Sequence, residues 1–162
     1  SITLIIKEWG GDLNDYLGGE SLFDQVNACE TYAELRDWCF RLHKVASEIL
    51  LHIKETQHRQ EIKKTIDYIH EHYAEPIQLQ DVARYVNLSE SYLSYLFTKE
   101  KGESFSRYLQ RVRVNKAKEL LRNGKSQWFQ VGESVGFESP QYFAKVFKKF
   151  TGLTPVQYKN GK

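Results

Sequence analysis

The chain has 162 residues, 41% of them hydrophobic and 14% aromatic, ample for one large or two small folded cores. Its apolar runs fall far short of the ~20 residues of a membrane span, it has no signal-peptide pattern, and it lacks methionine even at its start, so it reads as a fragment or processed chain that works in the cytoplasm. The net charge of +2 is uninformative as a whole, but residues 1–58 carry 5 basic and 10 acidic residues while residues 59–162 carry 18 and 11, which separates an acidic accessory segment from one suited to a polyanion.

In chain order, SITLII at the start reads as a short strand, a helix start or the end of a preceding element. GGDLNDYLGGE follows as loop or broken helix. From Thr31, the 3-4-3-4 spacing of Leu35, Trp38, Leu42, Val45 and Ile49 predicts a helix of about 25 residues. Its seam either packs on Leu13, Leu17, Leu22, Phe23 and Val26 or forms a dimeric coiled coil. The second arrangement is weakened where the seam meets His52, Thr56 and Arg59. A further helix is expected near residues 59–74, with Ile62, Ile66, Ile69 and Tyr73 on one side and Ala74-Glu75-Pro76 as its end. Cys29 and Cys39 lack metal-ligand spacing and read as reduced thiols, with redox sensing or a disulfide as the alternative. His70 and His72 are two apart on a helix, so neither a metal nor a catalytic role is assigned.

The most informative feature comes next, because one pattern is written twice. LQDVARYVNLSESYLSYLFTKEKGESFSRY (79–108) aligns with WFQVGESVGFESPQYFAKVFKKFTGLTPVQY (128–158). Val82-Ala83 falls on Val131-Gly132, Val86 on Val135, Leu88 on Phe137, Tyr92 on Tyr142, Phe97 on Phe147, Gly102 on Gly152 and Tyr108 on Tyr158. Each copy has a small residue where two helices must approach (Ala83, Gly132) and a residue tolerant of positive φ at the turn (Asn87, Gly136). Each then starts a second helix, at Ser89 or at Ser139-Pro140. The unit is a helix-turn-helix, used twice, at about 79–100 and 128–150. Between the copies, Phe105, Leu109, Val112, Lys116-Ala117 and Leu120-Leu121 share a face of a connector helix over 104–122, with Gly124 as its stop. Such a helix is roughly 28 Å long, comparable to the ~34 Å between successive major grooves on one side of DNA.

The fold class expected is therefore all-α: two helix-turn-helix motifs joined by a long connector helix over residues 59–162, preceded by a helical accessory or linker segment over 1–58. VGESVGFESPQYFAKVFKKFTGLTPVQY and RVRVNKAKELL resemble the AraC/XylS family of bacterial transcription activators, over about residues 60–160. The helix ahead of them is similar to the linker of YesN-like two-component response regulators. The family pattern has alanine at Gly132 and an acidic residue near Gln130, departures expected to soften the first helix of the second motif. The resemblance implies double-stranded promoter DNA as partner, RNA polymerase recruitment, and no enzymatic activity, cofactor or metal. A homodimer through the N-terminal helix or an upstream domain is also consistent with it.

Base readout belongs to the outward side of each second helix. With Leu93, Leu96 and Phe97 inward, Glu90, Ser91, Ser94 and Tyr95 face out, and by position the family's base contacts fall on Ser91, Ser94 and Tyr95. The corresponding outward set in the second copy is Pro140, Gln141, Ala144 and Lys145; Gln141 suits adenine and Lys145 guanine or a phosphate. Lys99, Lys101, Arg107, Arg111, Lys148 and Lys149 are candidates for phosphate contact, as is Tyr142, which suits packing equally well. Arg113 corresponds to a structural pairing arginine in the family, and Val112 and Val114 beside it suggest partial burial. Against an enzyme stands the absence of a Gly-rich phosphate loop, HExxH or GxSxG. A nonspecific architectural DNA binder or protein-interaction module remains the other alternative.

Overall fold

The computed structural model describes residues 21–123 and 127–161. The expectations for SITLII, for GGDLNDYLGGE, for packing by Leu13 and Leu17 and for a stop at Gly124 lie outside the described residues. Among the described residues the chain is all-helical, with no strand. It divides into two compact units, Ser1–Arg59 and Gln60–Lys162.

In the first unit α1 (Leu22–Asn27) is capped by Ser21, whose Oγ accepts from the Asp24 amide at 3.1 Å. The following helix, α2 (Tyr32–His72), packs around Ile49, with Leu22, Leu42, Val45 and Ile53 against it. Trp38 Nε1 donates to Gln25 Oε1 at 3.0 Å and ties the two helices together. Phe23 does not join this core as expected, being 74% exposed. Leu22 and Val26, four apart, take the inward stripe of the short helix, and Phe23 falls beside it.

The two helices anticipated over 31–53 and 59–74 are one helix of 41 residues. The segment KETQHRQ (54–60) is polar but contains neither glycine nor proline. Loss of the apolar seam there marks an exposed stretch and not a break. After His72 the chain turns, with the Glu75 amide donating to the His72 carbonyl at 2.9 Å ahead of Pro76.

The second unit starts on the last part of α2, where Ile62, Thr65 and Ile69 are buried and Thr65 Oγ1 donates to the Glu61 carbonyl at 2.8 Å. Then follow α3 (Leu79–Tyr85), α4 (Glu90–Lys101), α5 (Phe105–Arg122), α6 (Trp128–Ser134), α7 (Pro140–Thr151) and α8 (Pro155–Lys159). One core gathers Ile62, Ile69, Val82, Leu93, Phe97 and Leu109; the other gathers Val114, Leu121, Val131, Phe143, Val146 and Phe147. The connector α5 therefore serves both lobes, its first half in one core and its second half in the other. Leu120, expected on its inward face, is 41% exposed, and Leu121 alone fills that place.

The duplication holds bond for bond. The Leu88 amide donates to the Ala83 carbonyl at 2.9 Å, and the Phe137 amide to the Gly132 carbonyl at 3.0 Å. Asn87 and Gly136 carry the turns at φ 56° and 91°, the left-handed region that asparagine tolerates and that glycine, without a Cβ, adopts freely. Phe97 meets Tyr108 edge-on with centroids 5.3 Å apart, and Phe147 meets Tyr158 in the same way at 5.4 Å. A chain that repeats its aromatic joints along with its turns has repeated a folded unit, not merely a composition.

The two departures from the family pattern also find their reasons. A Cβ at position 132 would stand 2.6 Å from Phe143 Cδ1 and 2.8 Å from Cγ. At the aligned positions the first copy has Ala83 and Leu93 where the second has Gly132 and Phe143, so the lost methyl leaves room for the ring. Gln130 Oε1 accepts the Gln127 amide at 3.1 Å, as Asp81 Oδ2 accepts the Gln78 amide at 2.9 Å in the first copy. The helix start keeps its acceptor and loses only the charge.

Candidate nucleic-acid interface

Both second helices are built to expose a polar stripe. In α4, Leu93, Leu96 and Phe97 are buried, and Ser91, Ser94 and Tyr95 lie outside, Tyr95 61% exposed. Thr98 shares this exposed face one turn on from Ser94. Its i+4 spacing from Ser94 is the sequence signal that places it on that face. Ser89 caps the helix, accepting from the Tyr92 amide at 3.3 Å.

In α7, Phe143, Val146 and Phe147 are buried, while Gln141, Lys145 and Lys148 follow one another at helical spacing on the exposed face. Ala144 is half-buried at one flank; Tyr142 and Lys149, both exposed, lie on the other. Pro140 occupies the first helical position, and Ser139 Oγ accepts from the Tyr142 amide at 3.2 Å. Lys148, counted among the phosphate candidates, thus shares the stripe of Gln141 and Lys145. The stripe on α4 is neutral and hydroxyl-rich, whereas that on α7 is cationic.

The remaining candidates separate by their partners. Lys99 and Lys101 are exposed in the last turn of α4. Arg111 directs Nε and Nη2 onto Glu103 Oε1 at 2.9 and 2.7 Å, and its guanidinium lies 4.6 Å from the centroid of the Tyr108 ring. Arg107 Nε is 3.5 Å from Glu103 Oε2. Glu103 is itself only 17% exposed, so this pair of arginines is drawn toward an internal carboxylate.

Arg113 is half-buried. Its Nε donates to the Tyr73 carbonyl and its Nη2 to the Glu75 carbonyl, both at 2.7 Å, and the guanidinium stands over the Phe137 ring at 5.7 Å. These carbonyls lie just past the end of α2, where no further helix turn supplies partners. Burial lowers the guanidinium pKa from its usual value, and Glu138 and then Tyr142 act in the opposite sense. Gly136 presses on the same place: a Cβ there would lie 2.8 Å from the Ala74 carbonyl oxygen.

A profile of the family described as a helix-turn-helix domain matches residues 82–161. Among curated proteins, the regulatory protein PocR of Salmonella typhimurium is 36% identical over 104 residues, 64% of this chain and 34% of that protein. Among solved structures, the C-terminal domain of AraT, a response regulator from Geobacillus stearothermophilus, is 33% identical, with a TM-score of 0.61, over 63% of this chain and 85% of that one. The C-terminal domain of the two-component response regulator yesN from Fusobacterium nucleatum is 36% identical, with a TM-score of 0.56, over 59% of this chain and 93% of that one.

The chain belongs to the AraC family of DNA-binding transcription regulators. The AraC-type fold accounts for the paired motifs and the connector, and the family is one of regulators, not enzymes. The chain spans about a third of PocR's length. Among the described residues no helix is long and apolar enough to cross a membrane, and no group of three His, Cys, Asp or Glu residues is placed to hold a metal ion. Cys29 is half-buried and Cys39 exposed, both as free thiols.

Proposed function

We propose that this chain is the DNA-reading output part of a longer cytoplasmic regulator, which binds a promoter site through two adjacent major grooves and activates transcription by recruiting RNA polymerase. The observation that carries the reading is the pair of exposed stripes on equivalent helices, joined by a connector of 18 residues, about 27 Å long. The stripe on α4, with Ser91, Ser94, Tyr95 and Thr98, suits thymine methyls and single hydrogen bonds; that on α7, with Gln141 and Lys145, suits adenine and guanine edges. Lys99, Lys101 and Lys149 fix register on phosphates without reading sequence. Arg107 and Arg111 contribute less than exposed lysines, because Glu103 already holds them. The acidic part, residues 1–58, is the accessory segment, which links to an upstream sensory or receiver domain and supplies a dimer interface.

Selection of bound duplexes from a random library at physiological salt, followed by footprinting, tests this. The expected result is two short blocks about one helical turn apart, protected on one side of the duplex. Uniform recovery without a motif would refute sequence reading.

A further inference from the structure

Gln110 lies on α5 and Tyr142 on α7, 32 residues apart, and Gln110 Nε2 donates to the Tyr142 phenolic oxygen at 2.8 Å. The bond crosses from the connector to the second reading helix. A phenol has one proton to give and two lone pairs to receive. With a lone pair taken by the amide, the phenol's own proton is left for another acceptor, and the incoming bond polarises the hydroxyl into a better donor. Tyr142 is 48% exposed, so the residue is reachable from solvent.

Helix periodicity says where that acceptor lies. Gln141, Lys145 and Lys148 mark the middle of the exposed face of α7, and Tyr142 and Lys149 lie along one flank, the flank facing α5. A helix seated in a major groove turns the middle of its face to base edges and its flanks to the phosphate walls.

We propose that Gln110 is a positioning residue for DNA binding: by donating to the Tyr142 hydroxyl it commits that hydroxyl's proton to one phosphate oxygen, on the strand that passes between α7 and α5. This rests on the DNA-reading role proposed above and assigns one contact within it.

The test uses the full chain and the duplex it selects, with each phosphate in turn replaced by an uncharged methylphosphonate. Wild-type protein loses affinity at several positions. Tyr142→Phe should bind the unmodified duplex roughly tenfold more weakly and become indifferent to modification at one phosphate, while every other penalty persists. Its salt dependence should stay unchanged, since no cation is lost.

Gln110→Glu offers only acceptors, so the phenol turns its proton inward. This variant should lose the same single phosphate, and adding Tyr142→Phe to it should remove no further one. The added negative charge acts equally in both backgrounds and cancels in the comparison. Gln110→Ala, which removes the strut without adding charge, should weaken that penalty, and melting temperatures confirm that each variant is folded.

The inference is overturned if Tyr142→Phe keeps every penalty, or if both Gln110 variants keep the one that depends on Tyr142. A wild-type chain indifferent to all phosphates would instead defeat the DNA-reading role itself.

Discussion

Replacing Gly132 by alanine tests whether the second motif is a volume-compensated copy of the first. The new methyl would stand 2.6 Å from Phe143 Cδ1 and 2.8 Å from Cγ, about 1 Å inside the ~3.5–4.0 Å of a comfortable carbon contact. Phe143 is fully buried and stacked on Trp128 with centroids 6.5 Å apart, so its ring has little room to retreat. Overpacking of this kind costs about 1–3 kcal/mol, against a gain of about 1 kcal/mol from replacing a helical glycine by alanine. The net expectation is a loss of about 0–2 kcal/mol. Phe143→Leu alone opens a cavity and destabilises. Together the two changes recreate the Ala83–Leu93 pair of the first motif, so the double variant should exceed the sum of its singles by about 1–2 kcal/mol. Urea unfolding followed by far-ultraviolet circular dichroism measures all four proteins. Coupling below about 0.5 kcal/mol, the usual scatter of independent sites, would refute the compensation.

Other perturbations separate readout, scaffold and core. Gln141→Ala should cost about 1–3 kcal/mol at one base position, whereas Lys149→Ala should weaken all sequences alike and reduce the salt slope by about one; competition binding across a mutated operator set distinguishes them. Arg113→Lys keeps the charge but loses the fork that spans the Tyr73 and Glu75 carbonyls. It should lower stability by about 1–3 kcal/mol and leave base preference unchanged, as read by thermal melting beside operator selection. The Tyr158 hydroxyl is buried without a hydrogen-bond partner among the described residues, so Tyr158→Phe should be neutral or stabilising by up to about 1 kcal/mol in the same melts.

The helix-turn-helix pairs were legible because the residues that make them are few and chemically distinctive: a small contact residue, a turn residue tolerant of positive φ, a capping serine. The aromatic pairs Phe97 with Tyr108 and Phe147 with Tyr158 occupy aligned positions of the two copies, so the repeat marks them in the sequence even though their edge-on packing is a property of the fold. The continuity of α2 was hidden because an exposed helical stretch and a loop are both polar, and only the missing glycine and proline distinguish them. Glu103 was equally opaque. Nothing in its spacing says that it will be nearly buried and hold two arginines that otherwise read as phosphate contacts.

The same limit explains why Gly132 looked like a defect. A family pattern records each position by itself, while packing acts on pairs, and the partner that justifies Gly132 stands eleven residues on, in another helix. The spacing of the two reading helices follows a similar logic. A connector helix by itself fixes a length but leaves each lobe free to rotate about its ends. Here the second lobe is also held by Gly136 against the Ala74 carbonyl, by Arg113 donating to the carbonyls of Tyr73 and Glu75 beneath the Phe137 ring, and by Gln110 on Tyr142. Three of these contacts meet the segment that leaves α2, and that segment leads directly into the first motif. Tied to one another through this short backbone stretch, as well as through α5, the two helices proposed to read DNA would present a set separation before binding, which would lower the ordering cost of the proposed two-groove complex.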